Sequence, residues 1–400
     1  MDYKRYLEIL TSKPIPKDLA FSEAEYRCRV EKVKRLMSER GLDALLVTDV
    51  SNICYLSGFD TFVPDIFACM VLTADRDPIL QIMEFEIPAA LLYSWIKDLR
   101  PTKFNHADQI AREISGILSE RKLDGKRIGI EPGLVGLNVS INDSLRRACP
   151  SASFVDSSDL VLGIRLIKSP AELSYMRKAA DVVRKSLAVT LQAVQPGASE
   201  NDIASVAYAT LVKEGSEFFS SQPMVAGADR TGWIHVSQRG KRIQAGDTVM
   251  MELGAFIRRY LGAVMHTAVI GEPSPQVRKL VKASHDTLDR VRELVKPGIT
   301  AHAVAIEAKK ALEPVAEEAY STGMYGYSVG LSVPPNWQEG TFMIAEGRHE
   351  PMRPGMTFLT PITLRIPGTR GIGFTDIFTV TETGCDILTA RDRSLTVVPA

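Results

Sequence analysis

Thr231 to Gly271 reads TGWIHVSQRGKRIQAGDTVMMELGAFIRRYLGAVMHTAVIG, and it limits the fold more than any other stretch. Two apolar runs, Val249-Met250-Met251 and Ala263-Val264-Met265, are short. They predict two returning strands, each buried on at least one face, entered by a turn at Gly246-Asp247 and bent at Gly254. A carboxylate, Glu252, lies inside the first run. Burying it as a charge is costly unless it is paired or its pKa rises. Glu252 is therefore the first candidate for chemistry. The structural alternative is an ion pair with Arg258 or Arg259 across the hairpin.

The rest of the chain predicts two domains. Phe21 to Arg40 has helical periodicity and ends at Gly41. Ala44–Thr48, Phe67–Leu72, Pro78–Met83 and 127–130 read as strands. Helices are predicted over Pro88–Lys97, 107–122 and 139–148, which makes residues 1–165 a compact α/β unit. At Ser169-Pro170-Ala171-Glu172 the serine can cap a helix, proline fits its first position, and glutamate stands three residues on. That capping box opens a second unit, 166–400. It is read as α+β: helices 170–195 and 200–214, the hairpin, helices 277–295 and 302–319, and a β-rich end from Met356 to Leu388.

Composition excludes several function classes. The 48 basic and 48 acidic residues leave no net charge, and there is no basic run, which argues against nucleic acid or an acidic membrane surface as a partner. No apolar segment reaches membrane-spanning length. The first residues, MDYKRYLEIL, carry no apolar signal core. Five scattered cysteines without CxxC spacing suit neither a disulfide framework nor a metal cluster. A reducing cytoplasm is the expected compartment.

Seven motifs then occur in register: LIKSPAELSYMRKAA, a lone histidine before RIQAGDTV, ELGAFIRRY, VKPGITAHAV, GYSVGLSVPP, MRPGMTF and DIFTVTETG. In this order they resemble the creatinase/aminopeptidase (M24) family, over essentially the whole chain. The resemblance implies a pita-bread catalytic domain preceded by a ribonuclease-H-like α/β domain. It also implies a homodimer with the active site near the subunit interface. The family's metallopeptidases hold two metal ions with two aspartates, a histidine and two glutamates. The first aspartate position is Glu252, and the second, eleven residues on, is Ala263. The histidine position is Tyr327. The glutamate positions are Pro361 (Thr360 if the match slips by one) and Thr375. Four of the five ligands are gone, so no metal and no other cofactor is expected.

The chain instead resembles the metal-free branches, creatinase and ectoine hydrolase. His235 matches the position of creatinase's general-base histidine. Glu252, Arg259-Tyr260, and Tyr327, Ser328, Gly330, Pro334, Pro335 and Trp337 match the ectoine hydrolase type. That chain type continues RYHAPLSRT where this one reads RYLGAVMHT, with His266 replacing an arginine, and its HFMPG-like stretch is LTPIT here. The resemblance implies metal-independent hydrolysis of a C–N bond in a zwitterionic amidine or guanidino compound. Glu252 would be nucleophile or base, His235 would transfer a proton, and Tyr327 would hold developing charge. Tyr260, His266, Trp337 and Asp376 are candidate substrate contacts, Trp337 as an apolar or cation–π wall. Phe62, with Phe59 and Asp60, matches a loop that reaches the partner's site in creatinase-like dimers. The alternatives are a metallopeptidase with relocated ligands (Glu252, His235, His266 and Asp376), an inactive binding homologue, and a lyase.

Overall fold

A computed structural model describes residues 1–104, 106–335, 337–389 and 392–400. It forms two compact units, Met1–Arg165 and Leu166–Ala400. Among the described residues no helix is long and apolar enough to cross a membrane.

The first unit is built on a six-stranded sheet. Its strands are β1 (Ala44–Val47), β2 (Ala68–Thr73), β3 (Ile79–Met83), β4 (Asp98–Thr102), β5 (Arg127–Ile130) and β6 (Ser153–Asp156), in the order β4-β3-β2-β1-β5-β6. Antiparallel β1–β2 and β2–β3 pairs sit between parallel β3–β4 and β1–β5–β6 pairs. Every residue of β1, β2 and β3 is buried, as the apolar runs require. Sequence periodicity misses three helices here, Tyr3–Thr11, Val50–Ser57 and Ser158–Arg165. Val50–Ser57 starts where the Asp49 side chain accepts a hydrogen bond from the Asn52 amide, and ends at Gly58 with φ +80°. The helix expected over Pro88–Lys97 stops at Tyr93, and the chain turns into β4.

In the second unit the capping box forms as read. The Ser169 amide donates to Glu172 Oε2 at 2.8 Å, and the Glu172 amide donates to Ser169 Oγ at 3.3 Å. Helices Pro170–Gln192 and Glu200–Lys213 follow. The strands are β7 (Met224–Gly227), β8 (Thr248–Ile257), β9 (Tyr260–Ile270), β10 (Met324–Val329), β11 (Gln338–Ala345), β12 (Thr357–Ile366), β13 (Arg370–Val380), β14 (Cys385–Ile387) and β15 (Thr396–Val398). They form two sheets, β15-β9-β8-β7 and β11-β10-β12-β13-β14. Helices Pro275–Leu294 and Ala301–Lys310 pack their apolar residues with Phe358, Ile362, Leu364, Ile372 and Phe374 of the second sheet. Helices 170–192 and 200–213 do the same against Leu253, Ala255 and Val264 of the first. The helix expected to reach Ala319 ends at Lys310. A single 3-10 turn containing Pro314 follows, because proline lacks the amide a continuing helix needs.

The hairpin differs from expectation at one point. The chain does not bend at Gly254. Strand β8 continues to Ile257, which pairs with Tyr260, and Arg258 and Arg259 make the two-residue turn at φ +50° and +68°. That is the primed hairpin geometry, in which both central residues are left-handed. The Arg258 amide donates to Glu217 Oε2 at 2.7 Å, and the Arg259 guanidinium stacks 4.4 Å from the Phe218 ring centre. Gly254 has a packing role instead: a Cβ there would lie 2.7 Å from the Trp337 ring.

Candidate functional site

Strand alternation sorts the hairpin into two faces. Val249, Met251, Leu253 and Ala255 point to the helices. Met250 and Glu252 point the other way, into a cavity of about 100 Å³. Met265, paired with Glu252, joins them from β9. Pro361, Thr363 and Arg365 of β12 line the same cavity, as do Met224, Met324, Tyr327 and Gln338. Thr360 does not, so Pro361 is the residue at the family's glutamate position that faces this space. Gly373 makes room for the methionines, since a Cβ there would meet the Met265 and Met250 sulfurs at 2.4 and 3.0 Å.

Glu252 is the carboxylate of this cavity. Its surroundings push its pKa up to about 7, chiefly by desolvation, against a smaller opposing pull from the Arg365 charge. It makes no pair with Arg258 or Arg259, which lie at the far end of the hairpin. Tyr327 is buried, and its phenol is held well above its ordinary pKa, first by burial and then by Glu252. A neutral hydroxyl thus stands beside the carboxylate. Trp337 is absent from the cavity lining. Its ring covers Gly254, and its indole donates to the Tyr327 oxygen at 3.0 Å.

His235 lines the cavity from an exposed loop, with Trp233 and Ile234 beside it. Its backbone is left-handed at φ +54°, a conformation non-glycine residues rarely keep without a surrounding that enforces it. Glu200 supplies that anchor. It is fully buried, and it accepts from the Gly227 amide at 2.9 Å, Arg230 Nε at 2.8 Å and the Arg239 amide at 2.7 Å. Both ends of the His235 loop are thereby tied to one carboxylate.

The remaining candidates lie elsewhere. The Tyr260 hydroxyl donates to Glu172 Oε1 at 2.9 Å, and its ring stacks with Tyr175, so it braces the helix cap. His266 and Asp376 lie on the helix-facing sides of β9 and β13, one residue out of step with Met265 and Thr375. His266 Nε2 shares a hydrogen bond with Thr396 Oγ1 at 2.8 Å, and burial pushes its pKa down to about 4. Asp376 is pushed up to about 6, mainly by burial, with Arg393 Nη1 3.5 Å away. Phe62 belongs to the first unit, where it is 76% exposed.

Two residues escaped the sequence reading. Arg365 is buried and lines the cavity, donating from Nε to the Trp233 carbonyl at 3.2 Å and from Nη1 to Thr363 Oγ1 at 2.6 Å. Its signal was alternation: Pro361, Thr363 and Arg365 share a face. Glu200 had no signal, because a glutamate in a helix's first turn is ordinary.

The residues present do not fit a two-metal centre. At the five family positions only Glu252 offers a carboxylate. Ala263 and Pro361 offer no side-chain ligand, Thr375 donates its hydroxyl to the Thr360 carbonyl at 2.8 Å, and Tyr327 stays protonated. The relocated set is not assembled either, since His266 and Asp376 sit behind the sheets from Glu252. Among the described residues no three His, Cys, Asp or Glu side chains are grouped to hold a metal ion.

The comparisons agree with this architecture. Residues 174–382 match the model of metallopeptidase family M24, and residues 29–167 match the creatinase/prolidase N-terminal domain. The chain is similar to an uncharacterized hydrolase/peptidase of Sinorhizobium fredii, 27% identical with 95% of this chain and 99% of that protein covered. It is similar to the ectoine hydrolase of Halomonas elongata, 26% identical over 95% and 98%. The Xaa-Pro dipeptidase of Pyrococcus horikoshii is 24% identical over 92% and 98%. Among solved structures, dipeptidase PepE of Mycobacterium ulcerans superposes with a TM-score of 0.81 at 23% identity, covering 95% of this chain and all of that one. The chain belongs to metallopeptidase family M24: it is a hydrolase of that family with a pita-bread catalytic domain and a creatinase/prolidase-type N-terminal domain.

Proposed function

We propose that this protein hydrolyses a non-peptide C–N bond in a small zwitterionic amidine or guanidino compound, without a metal ion. The observation that carries the reading is Glu252: a desolvated carboxylate with a pKa near 7, in a cavity where Pro361 and Tyr327 stand at two of the positions matched to the family's metal ligands. A carboxylate tuned close to neutrality suits a base or nucleophile. A protonated amidine carbon is already electrophilic, so it needs no Lewis acid to be attacked.

Glu252 attacks that carbon directly, or deprotonates a water that does. His235 delivers the proton to the departing nitrogen, which leaves as an amine. The water oxygen remains on the carbon as an amide or urea carbonyl. In the direct route a second step, attack of water on the imidoyl carbon of the Glu252 ester, breaks the bond to Glu252, releases the amide or urea and regenerates the carboxylate. The neutral Tyr327 hydroxyl, fixed by the Trp337 indole, donates to charge building at the reacting centre.

The test is one preparation assayed with ectoine, creatine and a Xaa-Pro dipeptide, with and without chelator, alongside its metal content. Turnover of an amidine or guanidino compound that ignores chelator and vanishes in Glu252→Gln supports the proposal. Stoichiometric metal with chelator-sensitive dipeptide cleavage sinks it.

A further inference from the structure

Arg365 is a buried cation whose surroundings do not balance it. Its guanidinium donates to a carbonyl and a hydroxyl, both neutral, and among the described residues no carboxylate lies at ion-pair distance. Leaving a charge buried without a partner is costly, and a chain tolerates it where a ligand supplies the counter-charge. The fixed negative group that Arg365 senses most strongly is Glu252, which faces the same cavity from a different strand. The two side chains thus line one cavity without meeting in an ion pair.

We infer that Arg365 is the receptor for a carboxylate carried by the substrate, so that the zwitterion lies with its anionic end on Arg365 and its amidinium end on Glu252. This rests on the hydrolase reading of the Glu252 cavity and narrows its substrate class. The ligand is an amino-acid-like compound whose carboxylate and amidine carbon are joined by a short apolar segment. Met250, Met265 and Met324 line the space that segment would cross. Thioether side chains adapt to irregular apolar shapes without offering a competing charge. Arginine suits the role because its planar fork can grip a carboxylate with two parallel hydrogen bonds.

The experiment is a binding cycle with three probes: ectoine, the same ring lacking its carboxylate, and butyrate. Each is titrated into the full-length protein and its Arg365→Met and Arg365→Lys variants, after thermal melts establish that the variants fold. Ectoine is expected to lose roughly 10- to 100-fold in affinity in Arg365→Met, the range for a hydrogen bond to a charged group. The ring without the carboxylate binds weakly and equally to wild type and Arg365→Met, and Arg365→Lys recovers part of the loss. Equal losses for both rings would overturn the inference, because they would mean that Arg365 only holds the Trp233 carbonyl and its loop. Ectoine binding that ignores Arg365 would overturn it as well.

Butyrate separates this inference from the hydrolase reading. If no amidine is bound or turned over, yet butyrate binds wild type and not Arg365→Met, the carboxylate receptor stands and the hydrolase proposal falls. If an amidine is hydrolysed while neither carboxylate probe depends on Arg365, the receptor falls alone. If no probe binds wild type at millimolar concentration and neither ectoine nor creatine is turned over, both are rejected.

Discussion

Glu252 on β8 and Arg365 on β12 face one cavity without forming an ion pair, and each is shifted by burial away from its charged form. A contact pair would have neutralised both and closed the cavity. Held apart, they leave a desolvated acid and a desolvated base, each poised for a charged group from outside.

Glu252→Gln is expected to abolish hydrolysis while leaving the fold intact. In wild type, the acidic limb of the activity profile should rise with pH through an ionisation near 7, because the carboxylate must be deprotonated to act. Arg365, Tyr327 and His235 are the other charged or titratable groups facing it in the cavity. A kcat/KM profile flat between pH 5.5 and 8.5 would remove Glu252 from the mechanism.

Stability should carry the same signature with the opposite sign. The folded pKa of Glu252 lies above its ordinary value of 4.5, so the neutral acid costs nothing below that pH. The penalty develops as pH rises from about 4.5 through about 7. Glu252→Gln escapes it, so its stability relative to wild type should grow across that window, by on the order of 2 kcal/mol at pH 8. Denaturant melts of the two proteins at pH 5 and pH 8 measure the difference, and a constant offset would contradict the argument.

Tyr327→Phe removes the hydroxyl beside Glu252 and orphans the Trp337 indole N–H. A loss of roughly 10- to 1,000-fold in kcat, with KM little changed, is expected if the hydroxyl meets charge only in the transition state. A change confined to KM would assign it to ground-state binding.

Gly254→Ala should destabilise by about 1 to 3 kcal/mol, since its Cβ would fall 2.7 Å from the Trp337 ring and overpack the strand. If Gly254 served only as a flexible bend, the same change would stabilise the strand, and a thermal melt shows which holds.

Glu200→Gln tests the His235 loop. The amide keeps the shape but weakens the bonds from the Gly227 and Arg239 amides and from Arg230. We expect a lower kcat and faster proteolysis within residues 228–240, with limited change elsewhere. Wild-type protease resistance in that loop would show that Glu200 does not hold it.

Strands β1, β2, β3, β5, β8 and β9 and the capping box were legible in the chain, whereas the short strands β4, β6, β7 and β15 were not. Each legible element depends on neighbours close in sequence or on residue identity at a motif position. Ser169 and Glu172 find one another because they are three residues apart at a helix start. Glu252 stood out because a carboxylate in an apolar run is expensive wherever it folds.

The composition of the site was not legible in the same way. His266 and Asp376 looked like candidates beside Met265 and Thr375, but a side chain one residue out of step in a strand points to the opposite face. Trp337 looked like a cavity wall and instead packs on Gly254, 83 residues earlier in the chain. Glu200 looks like any helix-start glutamate until the fold buries it, and the alternation that puts Arg365 on one face with Pro361 and Thr363 does not say that this face is enclosed. Sequence determined the long buried strands, the helix starts and the presence of a carboxylate in an apolar run. Tertiary structure decided which face each side chain occupies and which charges meet across the cavity, because burial and distance between remote residues set the cost of a charge, and neither is a property of local sequence.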